Sequence, residues 1–111
     1  MKQFAIIGMG RFGSSIARTL YSLGNDVLAM DFEEERIEEV SEFVTHAVVA
    51  DATDEQTLIA LGLRNFDVAV VTIGGDIQAS ILICLLCKEM GIEQVIAKAQ
   101  NELHARVLRK I

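Results

Sequence analysis

The sequence predicts an α/β fold, a doubly wound parallel sheet with helices on both faces, and three observations carry that prediction. Short apolar runs alternate with helix-period segments along the chain, the pattern of repeated βαβ units. The run Phe4-Ala5-Ile6-Ile7 leads into Gly8-Met9-Gly10-Arg11-Phe12-Gly13, a G-x-G-x-x-G turn between a strand and a helix. The later run Val68 to Ile73 is apolar without alternation, as a parallel strand covered on both faces requires.

In the first unit each glycine answers a physical need. Gly8 permits the tight turn off the strand, Gly10 lets backbone approach a phosphate with no Cβ in the way, and Gly13 lets the following helix lie close on the sheet. A helix is expected over Ser14 to Leu23, with Ile16, Ala17, Leu20 and Leu23 as its apolar stripe, aiming free N–H groups and a positive dipole end at bound phosphates. A second strand, Asp26 to Met30, ends at Asp31, eighteen residues beyond Gly13 and near the offset of an acidic residue that holds ribose hydroxyls. A bare Gly-rich turn that binds nothing is the competing reading, and this context disfavours it.

Phe32 to Val44 is expected as a helix whose first turn carries Glu33, Glu34 and Glu35 and whose buried stripe is Ile37, Val40, Phe43 and Val44. The acidic run reads as a solvated helix start. It also keeps negative charge beside Asp31, which disfavours a phosphate on the adenosine ribose and favours NAD or plain adenine nucleotides over NADP. Ala47 to Ala50 is the third strand, and Asp51 follows it on the edge where ligands bind. Asp51 is either an acceptor for an adenine amino group or a turn residue. Thr53 or Asp54 caps the next helix, which ends at Gly62. Phe66 to Ile73 is the fourth strand, and Gly74-Gly75-Asp76 opens a helix to Met90, again beside the expected crevice.

That helix is apolar nearly all round, which points to a subunit interface on the side away from the sheet. Its Cys84 and Cys87 are expected to be buried structural thiols. Gln94 to Lys98 is the fifth strand with Lys98 on the ligand edge, and Asn101 caps a last helix to about Arg109, with His104 on its surface. A dinucleotide fold of this order has six strands, so the pattern is that of a sheet truncated before its last strand.

The 111 residues suffice for one domain, and the net charge of −6 argues against nucleic acid as a partner. No export signal is apparent at Met1-Lys2-Gln3, and the longest apolar run, Ala79 to Cys87, is too short for a bilayer, so a reducing cytoplasm is expected. Hydride transfer needs a proton donor beside the nicotinamide, yet His46 falls before a strand at the far edge and Tyr21 lacks a Tyr-x-x-x-Lys arrangement. No catalytic or metal-ligating set stands out. The residues read as a binding module rather than an enzyme, and Arg11, between two glycines, suits terminal phosphates of ADP or ATP.

Gly8-Met9-Gly10-Arg11-Phe12-Gly13, Asp31, Ala50-Asp51-Ala52-Thr53, Asn65-Phe66-Asp67, Ile73-Gly74 and Lys98-Ala99-Gln100-Asn101 together resemble the Rossmann-like nucleotide-binding domain of the RCK (KTN) family over the whole chain, 1–111. The resemblance is to the Ktr-type gating subunit of bacterial Ktr/Trk potassium-uptake systems. It implies a cytoplasmic domain held at the inner face of the membrane through an integral-membrane potassium transporter subunit. It further implies homodimers joined in an octameric ring, with ATP exchanged against ADP, and in some members NAD(H), changing the gate. By position, Gly8, Gly10 and Gly13 would cradle phosphates, Asp31 would hold the ribose, and Asp51, Ala52 and Thr53 would border the adenine. Arg11, beside Phe12, would reach terminal phosphates, including those of a neighbouring subunit's ligand. Ile73, Gly74 and Lys98 complete the cofactor-binding set. The last strand, crossover helix and C-terminal lobe of the family are not in this sequence. The alternative reading is the NAD-binding fragment of an oxidoreductase.

Overall fold

A computed structural model describes residues 1–111. Five strands, β1 (Gln3–Ile7), β2 (Asp26–Asp31), β3 (His46–Val49), β4 (Val68–Val71) and β5 (Gln94–Ala97), form one all-parallel sheet in the order β3-β2-β1-β4-β5. The helices are α1 (Arg11–Ser22), α2 (Glu34–Val40), α3 (Glu55–Ala60), α4 (Ile77–Glu89) and α5 (Glu102–Lys110). The order reverses between β1 and β4, so the chain ends of those two strands flank a topological switch point, where open α/β sheets form their ligand crevice.

The two faces of the sheet are separated by the alternation of strand side chains. Ala5, Ile7, Leu28, Met30, Ala69 and Val71 pack against Leu58 of α3 and Ile83, Cys84, Leu86 and Cys87 of α4, with Leu108 of α5 at the margin. Ile6, Val27, Ala29, Val68 and Val70 pack on the opposite face against Ala17 of α1 and Ile37 and Val40 of α2. Both faces are therefore covered, and the doubly wound architecture expected from the sequence is the one observed.

The elements differ from expectation mainly at their ends. Helix α1 begins at Arg11, three residues early, because Gly10 already has extended backbone and serves as its N-cap. It stops at Ser22, and Leu23 is 72% exposed rather than part of the buried stripe, since the chain turns there into Gly24 at φ 94°. The expected helix to Val44 ends at Val40 and tightens into a 3₁₀ turn, Ser41–Phe43, which swings Phe43 outward. Phe43 is 43% exposed, and its ring is covered by the Arg18 guanidinium at 4.2 Å instead of by the core. Asp54, not Thr53, caps α3 by accepting from the Gln56 N–H at 3.1 Å. Strand β4 is shorter than the apolar run that announced it, although the Thr72 N–H still donates to the Ile7 carbonyl at 2.8 Å.

His104 is the clearest correction. Expected on the surface, it is 2% exposed, because it lies on the face of α5 that packs toward α4. Its Nδ1 accepts the Gln100 N–H at 2.9 Å, which places the ring proton on Nε2, and Nε2 has no partner in the chain. Cys84 and Cys87 are buried as expected, and burial pushes both thiols up, Cys87 to about 12. Both should be inert to an aqueous thiol reagent in the native state and react together on unfolding; fast labelling of either in the folded chain contradicts this packing.

Gly13 is the position where the fold tolerates least. A Cβ there would run into the Gly8 carbonyl oxygen and the Thr72 hydroxyl, both on the sheet side of α1. Gly13→Ala should cost about 3 kcal/mol, the upper range for overpacking against backbone, as read from chemical denaturation midpoints. A loss below about 1 kcal/mol would mean that α1 can slide outward freely.

Candidate functional site

The crevice is built from the turn that each strand makes as it leaves the carboxyl edge of the sheet. Gly8, at φ 104°, turns the chain off β1, and its N–H donates to the Met30 carbonyl at 2.8 Å. Its own carbonyl accepts the Thr72 hydroxyl at 2.8 Å, so the turn is fixed from both neighbouring strands. No side chain caps α1 at Gly10, which leaves the first turn of that helix facing the crevice without a protein acceptor.

Asp31 closes the other wall. Its carboxylate is buried, Oδ2 accepting the Met9 N–H at 2.7 Å and Oδ1 the Glu33 N–H at 2.8 Å. Two backbone donors thus orient the group while each oxygen keeps acceptor capacity for a ligand hydroxyl. Arg36 of α2 adds a cation at this corner, its Nη1 3.6 Å from Asp31 Oδ2 and its Nε 2.9 Å from Glu33 Oε2.

Two cavities adjoin here and share Gly8, Asp31, Phe32, Ile73 and Gly74. The first, of about 550 Å³, is a mostly apolar slot walled by Met30, Ala50, Ala52 and Ile83, with Asp51 and Thr53 at its mouth. The second, of about 480 Å³, is polar and carries Gly10, Arg11, Phe12, Arg36, Lys98 and Gln100. An apolar slot and a cationic lobe with a buried carboxylate between them suit the base, phosphate and sugar of a nucleotide, so the residues fit that ligand class.

Eleven of the twelve residues singled out from the sequence line one or both cavities: Gly8, Gly10, Arg11, Phe12, Asp31, Asp51, Ala52, Thr53, Ile73, Gly74 and Lys98. Gly13 does not. It is buried beneath the turn and supports Gly8 instead. Lys98 does not hang free in the cationic lobe but lies over the Phe12 ring at 4.9 Å, a contact that sequence spacing could not reveal. Gln100 ties the same corner together by donating from its side chain to the Ile73 carbonyl at 3.0 Å.

Sequence reasoning missed Phe32 and Arg36. Phe32 lines both cavities and is 71% exposed, a large ring standing in solvent beside the site. The signal for each was a residue out of keeping with a solvated helix start: an aromatic directly after Asp31, and the lone cation in an acidic run. Asp51 is in part a turn residue, since Oδ1 accepts both the N–H and the hydroxyl of Thr53, at 3.0 and 2.6 Å. Its Oδ2 makes no bond within the chain and remains available to a ligand donor.

A Rossmann-like sheet with a two-lobed crevice at its switch point defines the class of this domain. The TrkA-N domain family model matches residues 4–111, and the chain belongs to that family. It is 51% identical over 110 residues to Ktr system potassium uptake protein A of Bacillus subtilis (strain 168), covering 99% of this chain and 50% of that protein. It is 46% identical, with the same coverage, to Ktr system potassium uptake protein A of Vibrio alginolyticus. The chain thus spans about half the length of the curated relatives it matches. Among solved structures, the Kef CTD of Shewanella denitrificans in AMP-bound form superposes with a TM-score of 0.81 at 24% identity, covering 97% of this chain and 66% of that one. No helix is long and apolar enough to cross a membrane.

The Thr53 hydroxyl, then its N–H, hold the Asp51 carboxyl below its ordinary value of 3.8. Because the folded value is depressed, the stability this turn contributes is complete above the ordinary value and is lost as the pH falls through the lowered one. Thr53→Val should return the Asp51 titration toward 3.8 in carboxyl NMR while leaving the rest of the fold unchanged. An unmoved titration would mean that the Thr53 N–H alone sets it.

Proposed function

We propose that this chain is the nucleotide-binding domain of a regulatory subunit of a potassium-uptake system, and that it binds adenine nucleotides and passes the ligand state to a membrane partner. The observation that carries the reading is the junction at Asp31, a preoriented carboxylate between an apolar slot and a cationic lobe. In this reading the adenine enters the slot with Asp51, Ala52 and Thr53 at its edge. The ribose hydroxyls donate to Asp31, and the phosphates meet Gly8, Gly10 and the first turn of α1. The chain's own groups then bind and orient; none is poised for proton transfer to a substrate, and the role is that of a sensor rather than an enzyme. The potassium-uptake names of the relatives and the AMP-bound form of the Kef domain support the assignment.

Arg11 stands at the first helical position in the cationic lobe and is exposed, so it can follow a phosphate chain outward. A third phosphate gives it a contact that ADP lacks, and only such a differential contact can shift an equilibrium between two subunit arrangements. The exposed Leu82 and Leu85 of α4 supply an apolar face for a second copy, as a homodimer within the larger ring requires. Attachment to an integral-membrane transporter subunit at the cytoplasmic face follows from the same reading.

Thermal unfolding of this chain with ATP, ADP, NADH and NADPH at equal concentration tests it. A nucleotide at a hundredfold excess over its Kd should stabilise the fold by about 2.7 kcal/mol. ATP and ADP should both do so, and Arg11→Ala should narrow the gap between them. A shift confined to NADH and indifferent to Arg11 would overturn the proposal in favour of a dehydrogenase-like NAD site.

A further inference from the structure

The corner beside Asp31 holds a cation where the sequence suggested only carboxylates. In dinucleotide folds an arginine next to the ribose-binding acid is the group that accommodates a 2′-phosphate. Arg36 occupies such a position: its Nη1 lies 3.6 Å from Asp31 Oδ2 and 3.9 Å from where a Cβ on Gly10 would stand, so it faces the gap between ribose and phosphate turn. Its charge is already partly offset, because Glu33 Oε2 holds its Nε at 2.9 Å and turns the guanidinium toward the start of α2.

We propose that Glu33 is a specificity-determining residue, which by holding Arg36 closes the ribose end of the crevice to nucleotides carrying a 2′-phosphate. The proposal rests on the adenine-nucleotide reading above and adds the residue that sets its selectivity. The local charge explains how. Asp31 and Glu33 are two carboxylates against one guanidinium, and neither Glu34 nor Glu35 is paired with it. A 2′-phosphate placed there meets net repulsion, and the cation beside Asp31, Arg36, is already paired with Glu33. The geometry makes Glu33 separable from the rest of the site, since its backbone N–H, not its side chain, orients Asp31. Its side chain can therefore be changed without disturbing the group that takes the ribose.

The pair 5′-AMP and adenosine 2′,5′-diphosphate differ by the 2′-phosphate alone, and titration calorimetry of both on the wild-type chain, Glu33→Gln and Glu34→Gln reads the discrimination directly. The wild-type chain should favour 5′-AMP. Glu33→Gln should narrow that preference by about five- to tenfold, the scale of one charge at a partly exposed pair, through tighter binding of the diphosphate. Glu34→Gln, which removes the same charge one residue away, should leave the ratio where it was. Adding Arg36→Ala to Glu33→Gln should abolish the gain, which separates Arg36 from Arg11 as the cation responsible. An unchanged ratio in Glu33→Gln, or an equal gain in Glu34→Gln, would overturn the proposal while leaving nucleotide binding intact. Failure of the wild-type chain to bind either compound would bring down the nucleotide reading and this inference with it.

Discussion

The missing side chain at Gly13 is the constraint on which the rest of the structure depends. Because nothing projects from that Cα, α1 lies against the Gly8 carbonyl and the Thr72 hydroxyl, and those two groups bond to each other at 2.8 Å. That three-way contact joins the end of β1, the end of β4 and the start of α1 at the switch point. Every wall of the crevice is referred to it. Gly8 takes its left-handed turn from it, Met9 is aimed so that its N–H meets Asp31, and the exposed first turn of α1 is held over the cationic lobe. A side chain at Gly13 would separate the helix from the sheet, and the ligand walls would separate with them.

The architecture was legible because it rests on repeated, local patterns. Short unbroken apolar runs, helical stripes and the spacing from Gly13 to Asp31 each reflect a short-range rule, and their consistency left little choice of fold. What escaped was tertiary. Phe43 belongs to a helical stripe by spacing, but the tightened turn carries it out to Arg18. His104 looks like a surface residue in a polar helix, yet Asn101 accepts its N–H at 2.8 Å and the Gln100 N–H finds its ring, so a polar side chain is buried with one nitrogen satisfied. Helical spacing alone reveals neither outcome, since one depends on where Arg18 falls and the other on how α5 packs.

The candidate site shows the same division. The glycines and the acid at the end of β2 are visible because backbone geometry demands those residue types at those offsets. The Lys98–Phe12 and Arg36–Glu33 contacts are not, since a long cationic side chain selects its partner from several within reach. In the proposed reading, parked cations of this kind decide which phosphate the crevice receives. A motif therefore announces the ligand class, while side-chain pairing sets the choice within it.

The strand order has a consequence for how the molecule is made. Strand β1 lies in the middle of the sheet, yet one of its edges stays unpaired until β4 has been synthesised, and the Thr72 hydroxyl that braces the β1 turn lies 65 residues after Ile7. With every strand parallel, no hairpin can shelter that edge in the meantime. On the ribosome the first βαβ unit emerges with half a crevice and an open central strand, the kind of non-local pairing that slows folding and invites misassociation. The two walls of the crevice are thus brought together only late in folding, by the same step that closes the core.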